Sequence, residues 1–114
     1  MAVKQECVFC KIVAKELPAK VIAENDTCLV IQDIAPKAPV HYLIIPKKHV
    51  TDISCLERGD ANIPAAIFFM AQEWGAKLSG SGAFRLIVNN GTEVGQSVPH
   101  MHVHFVSGKK MTDF

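Results

Sequence analysis

The run His100-Met101-His102-Val103-His104-Phe105-Val106 constrains this chain more than any other segment. Apolar and imidazole side chains alternate, and a strict period of two is the pattern of a β-strand lying between two environments. Met101, Val103 and Phe105 then face a core, while His100, His102 and His104 form a row on the opposite face. Such a row is costly to bury without partners. It is either solvated on an edge strand or part of a site. A single metal ion suits two of the three but not all. The outer pair lie about 13 Å apart along a straight strand, whereas each ligating nitrogen must sit about 2.0–2.1 Å from the ion. The reading with most chemical content gives the histidines separate tasks: one attacks, another donates a proton or holds an oxyanion, and a third serves elsewhere.

The rest of the chain supplies a sheet for that strand to join. Val21–Glu24, Cys28–Gln32, His41–Ile45 and Phe84–Asn89 read as strands, with Asn25-Asp26 as a tight turn between the first two. Cys7–Lys15 has apolar residues at helical spacing and stops before Pro18. A longer helix follows, with Asn62 as its cap, Pro64 in its first turn and Gly80 closing it. The fold class expected is α+β, a five-stranded antiparallel sheet with two helices. The long helix is apolar on nearly every face from Ile63 to Ala71, and one small sheet covers only one side. Either loops cover the other side or a second copy does; the second predicts a homodimer.

With 114 residues, no internal repeat and no linker, residues 1–114 are expected to form one domain. Lys and Arg total 12 against 11 Asp and Glu, so the diffuse positive field of a nucleic-acid binder is missing. No stretch approaches the roughly 20 apolar residues of a membrane span. Met1–Glu6 carries no apolar signal core, so a cytoplasmic or nuclear protein with reduced cysteines is expected.

Just before the histidine strand, Asn89-Asn90-Gly91-Thr92-Glu93-Val94-Gly95-Gln96-Ser97 forms a glycine-containing polar loop, able to present N–H groups to an anion. Beside three histidines it suggests a phosphate site. The segment Gly95–Val106 resembles the His-x-His-x-His-x-x signature of the histidine-triad proteins. Phe9-Cys10-Lys11-Ile12, Asp33–His41 and Ile45-Pro46-Lys47-Lys48-His49 resemble further signatures of that family, and its Hint branch is the most similar.

The resemblance implies a homodimeric purine nucleoside phosphoramidase with the histidine-triad fold. His102 would attack the α-phosphorus, its other nitrogen held by the His100 carbonyl. His104 and Ser97 would contact the phosphate or leaving group, with His41 behind them. Asn89, Gly95 and Gln96 would flank the phosphate, Asp33 would bind the ribose, and Phe9, Ile12, Leu17, Ile31 and Ile34 would line the base pocket. It also implies a structural zinc site of Cys7, Cys10, His49 and His100, since some relatives assemble that set. The sequence departs from the Hint pattern at Pro99, where an aromatic is usual, and at Gln32, where histidine is frequent. A dinucleoside polyphosphate hydrolase, or a nucleotide-binding module with vestigial activity, are the competing functions.

Overall fold

A computed structural model describes residues 7–112, which leaves Met1–Glu6, read above for a signal sequence, outside the described residues. The elements run α1 (Val8–Val13), β1 (Val21–Glu24), β2 (Cys28–Gln32), β3 (Val40–Pro46), α2 (Asn62–Ala76), β4 (Arg85–Ile87) and β5 (Val103–Ser107), with short 3-10 turns at Ile53–Cys55, Arg58–Asp60 and Thr92–Val94. The five strands form one sheet in the order β1-β2-β3-β5-β4, and every pairing is antiparallel. The expected α+β class and strand count are both present.

Alternation along β2 and β3 divides the core in two. Cys28, Val30 and Ile44 face α2, where they meet Ile63, Ile67, Met70, Val103 and Phe105. Leu29, Ile31, Leu43 and Ile45 face the opposite way and pack on Cys7, Phe9 and Cys10 of the α1 region. The sheet is thus sandwiched between a long helix and a short one. Each fully buried Ile, Leu, Phe or Met contributes about 1.5–3 kcal/mol, so both faces supply driving force. The site forms on the α1 face.

Several boundaries differ from the sequence reading. The turn at Asn25 needs no glycine, because its Oδ1 accepts the N–H groups of Thr27 at 2.8 Å and Cys28 at 2.7 Å. Asn62 lies inside α2 and is not its cap. Ala61 holds the cap position, and a reciprocal Glu57–Asp60 capping box organises the turn before it. The helix ends at Ala76, with Lys77 as its C-cap, ahead of Gly80.

The histidine strand also starts later than its alternation suggests. His100 N–H bonds back to the Val98 carbonyl at 2.8 Å and Met101 N–H to the Val50 carbonyl at 2.6 Å. Those bonds take His100 and Met101 out of the ladder, and β5 begins at Val103. On α2, Phe68 and Phe69 stay 67% and 65% exposed. The helix that reads as apolar all round is therefore covered on one side only within a single chain.

Candidate active site

Three imidazoles gather where β3 and β5 run side by side. His104 pairs across the ladder with Leu43, and His41 pairs with Val106, which makes His41 and His104 diagonal neighbours on one face. Their rings lie 5.1 Å apart, and His104 lies 5.2 Å from His102. His41 and His102 are buried and His104 half-buried.

Backbone groups decide where each ring proton resides. The Lys37 N–H donates to His41 Nδ1 at 2.9 Å, so the neutral His41 carries its proton on Nε2. That proton points at His104 Nδ1, 2.9 Å away, with Asp33 Oδ2 a longer 3.4 Å from the same nitrogen. His104 Nδ1 therefore accepts, and its Nε2–H is left to donate. In His102 the order is reversed: Nδ1–H donates to the His100 carbonyl at 2.8 Å, leaving Nε2 with a lone pair. Two adjacent rings thus present opposite groups to the same side, a lone pair on His102 and an N–H on His104.

Burial pushes His104 down to about 4, with its His102 and His41 neighbours adding to the effect and Asp33 opposing it. Burial also lowers His41, against the pull of Asp33 and with a small contribution from Lys37. Both rings are neutral at pH 7, in agreement with the hydrogen-bond pattern.

His102 and His104 line a cleft of about 500 Å³, within the range of small-molecule sites. Phe9, Ile12 and Ile31 line its inner wall, Leu17 and the fully exposed Ile34 stand at its rim, and its polar margin contains Asp33 and Ser97. The nine residues expected to touch substrate through the triad, ribose and base contacts are therefore brought together here. A larger groove of about 690 Å³ runs along α2 past Phe68, Gly75 and Phe84, but no titratable side chain lines it. The chemistry belongs to the smaller cleft.

Of the remaining expected residues, His100 sits where the resemblance implies, and Gln96, Gly95 and Asn89 lie off the cleft. The His100 ring turns away from the cleft toward the cysteines, and only its carbonyl serves His102. Gln96 is buried, with Oε1 accepting the Gly91 N–H at 2.8 Å and Nε2 donating to the carbonyls of Thr51 at 2.7 Å and Val98 at 3.1 Å. Its amide is a strut for the loop and is consumed by that work. Gly95 takes φ +108°, a left-handed turn that a side chain would strain, beside Asn89 Nδ2. Neither Gly95 nor Asn89 lines the cleft.

Sequence reasoning missed other wall residues, including Lys20, Leu43 and Val98. Leu43 was legible from its two-residue offset to His41, but an apolar strand position reads first as core. Lys20 and Val98 sit in segments without periodicity and gave no signal.

Behind the cleft, Cys7, Cys10, His49 and His100 present ligand atoms that all lie within 4.8 Å of one another. Cys7 Sγ is 3.2 Å from His100 Nδ1, Cys10 Sγ is 3.2 Å from His49 Nδ1, and Cys10 Sγ is 3.5 Å from His100 Nδ1. Tetrahedral zinc with bonds of about 2.3 Å to sulfur and 2.0–2.1 Å to nitrogen places such atoms about 3.5 Å apart. His100 Nε2–H donates to the Pro46 carbonyl at 2.8 Å, which turns the Nδ1 lone pair to the sulfurs and supplies the outer contact typical of a ligating histidine. The donor set fits zinc. Asp33, His41 and His104 also converge within 4.8 Å, but His41 Nε2 carries a proton and has no lone pair to offer. That trio is a hydrogen-bond chain.

A sheet carrying three clustered imidazoles beside an apolar cleft, with a Cys₂His₂ cluster behind it, defines the class of protein. The HIT domain model matches residues 14–111, and the chain belongs to the histidine-triad (HIT) family. A histidine triad protein from Clostridium difficile superposes with a TM-score of 0.92 at 32% identity, covering 100% of this chain and 99% of that one. A HIT family hydrolase from Legionella pneumophila gives 0.88 at 39% identity, covering 94% and 96%. A zinc-bound histidine triad family protein from Mycobacterium smegmatis gives 0.80 at 31% identity, covering 91% and 76%. Among the described residues, no helix is long and apolar enough to cross a membrane.

Proposed function

We propose that the protein hydrolyses purine nucleoside 5′-phosphoramidates through a covalent nucleotidyl-His102, releasing AMP or GMP and an amine. The observation that carries this reading is the 2.8 Å hydrogen bond from His102 Nδ1–H to the His100 carbonyl. It leaves a lone pair on the Nε2 atom of a ring that lines the cleft. The similarity to a solved HIT family hydrolase supports the hydrolytic class.

In the first step, His102 Nε2 attacks the α-phosphorus and the P–N bond to the amine breaks. The bonding pair leaves with the amine nitrogen, which takes a proton from solvent by way of the Ser97 hydroxyl. His104, neutral, donates its Nε2–H to a phosphoryl oxygen as charge grows there. In the second step, water attacks the same phosphorus, the P–Nε2 bond breaks with its pair returning to His102, and the proton of the attacking water passes to solvent. Asp33 accepts from the ribose hydroxyls, and Phe9, Ile12, Leu17, Ile31 and Ile34 enclose the base. Gly95, Asn89 and Gln96 contribute by shaping the loop that carries Ser97.

Zinc at Cys7, Cys10, His49 and His100 would be structural, tying α1 to the loop before β5; a closed four-ligand set supplies folding energy and no reactive water. A second copy of the chain would cover Phe68 and Phe69, giving a homodimer. The substrate class is tested by comparing kcat/KM for adenosine 5′-phosphoramidate and diadenosine triphosphate. A preference for the phosphoramidate of at least about tenfold, or 1.4 kcal/mol, is expected. The opposite preference identifies a dinucleoside polyphosphate hydrolase, and AMP binding without turnover of either identifies a binding module.

A further inference from the structure

The metal cluster and the nucleophile share two residues. His100 offers Nδ1 to the sulfurs of Cys7 and Cys10, while its carbonyl holds His102 Nδ1–H. Phe9 stands between the two cysteines in sequence, and its ring meets both imidazoles edge-on. Its centroid lies 5.8 Å from that of His100 at 79° and 5.1 Å from that of His102 at 78°. The same ring is a wall of the cleft. One helical turn therefore carries a ligand, the neighbour of the nucleophile, and a second ligand.

That turn has little of its own to hold it. Helix α1 spans six residues, well below the roughly 12–15 at which an isolated helix becomes even marginal. Its position depends on Cys7, Phe9 and Cys10, all buried, and on what their side chains bind. Four metal bonds fix the two sulfurs against His49 and His100; thiol–imidazole contacts restrain them far less. A looser α1 carries Phe9 off the edge of His102 and moves a wall of the base pocket.

We propose that Phe9 is a positioning residue that couples the Cys7–Cys10–His49–His100 metal site to the nucleophile, so that metal occupancy sets the His102 orientation and nucleotide affinity together. This rests on the reading of the cleft given under Proposed function. Linkage makes the coupling reciprocal: if zinc tightens AMP binding by some factor, AMP tightens zinc binding by the same factor.

The test uses the full chain, zinc-loaded and chelator-stripped, at a temperature where circular dichroism shows both folded. AMP affinity is measured by calorimetry, zinc affinity by competition with a chromophoric chelator, and the His102 ring by its ¹⁵N shifts and tautomer. We expect stripping to weaken AMP binding at least about fivefold, AMP to raise zinc affinity by an equal factor, and the His102 ring nitrogens to shift. In Phe9→Leu, and in Phe9→Met should the first variant fold poorly, the coupling factor should fall toward one although zinc still binds. The proposal is overturned if zinc does not bind, if AMP affinity and His102 shifts ignore the metal, or if Phe9→Leu couples as strongly as the wild type. If the metal only stabilises the fold, stripping it would lower Tm and leave these readouts unmoved. Should AMP fail to bind, the nucleotide reading falls, and the His102 shifts alone decide whether metal and nucleophile are coupled.

Discussion

His41 Nε2 lies 2.9 Å from His104 Nδ1, and the proton between them belongs to His41, because the Lys37 amide occupies its other nitrogen at 2.9 Å. A backbone N–H on the connection between β2 and β3 thus determines which nitrogen of His104 is protonated, and hence that His104 faces the reaction as a neutral donor.

Replacing His41 tests that relationship. His41→Ala removes the donor to His104 Nδ1 and frees the other tautomer. The net worth of one neutral hydrogen bond is about 0.5–1.5 kcal/mol, so kcat should fall by up to about tenfold with AMP affinity little changed. Steady-state kinetics with parallel AMP calorimetry checks it. A loss confined to KM would remove His41 from this role.

Asp33 has two employments. Its Oδ1 accepts the Ala35 N–H at 2.7 Å, and its Oδ2 is 3.4 Å from His41 Nε2. If a ribose hydroxyl is its substrate contact, Asp33→Asn should raise KM by about tenfold or more, the range for hydrogen bonds to a charged group. A 2′,3′-dideoxy substrate should lose as much with the wild type and little further with the variant. Additive losses in that double comparison would place the ribose elsewhere.

Alternation along the strands made the sheet, the core faces and the pairing of His102 with His104 readable in advance, because a half-buried strand writes its two environments into successive residues. The departure of His100 from that row is not visible in the alternation and was expected only from the zinc set that the resemblance implies. It follows from hydrogen bonds to Val98 and Pro46, and from cysteines about 90 positions away in the chain. The work of the Gln96 side chain was hidden for a related reason. A glutamine in a glycine loop looks like a ligand contact, and only the nearby carbonyls of Thr51 and Val98 show its amide to be already engaged.

Acid should destabilise the protein in a defined window. His104 has its ordinary value of 6.5 depressed to about 4 in the fold. Between those values the unfolded chain binds the extra proton, so stability falls as pH drops through about 6.5 toward 4 and is constant above. Each kcal/mol lost lowers Tm by about 4–8 °C in a domain of this size. Calorimetric scans across that range should show a shallower decline for His104→Gln than for the wild type. Parallel slopes would assign the acid sensitivity to other groups.

The exposed phenylalanines of α2 predict the assembly state. Phe68 and Phe69 are 67% and 65% exposed, and two large apolar side chains together on one helix mark a contact surface. Light scattering should give twice the chain mass for the wild type and a folded monomer for Phe68→Asp/Phe69→Asp. A monomeric wild type would contradict the homodimer.

Covalent attack by His102 is the step on which the proposed hydrolysis depends, and intact-protein mass spectrometry after brief mixing with adenosine 5′-phosphoramidate detects it. Rapid quench in alkaline denaturant before analysis preserves a short-lived adduct, because the histidine P–N bond is acid-labile. The wild type should gain one adenylyl group. His102→Ala should gain none and lose turnover by at least about 10³-fold, as removal of a covalent nucleophile does, while still binding AMP. An adenylyl group on the His102→Ala protein, or wild-type turnover without any adduct under quench, would contradict it.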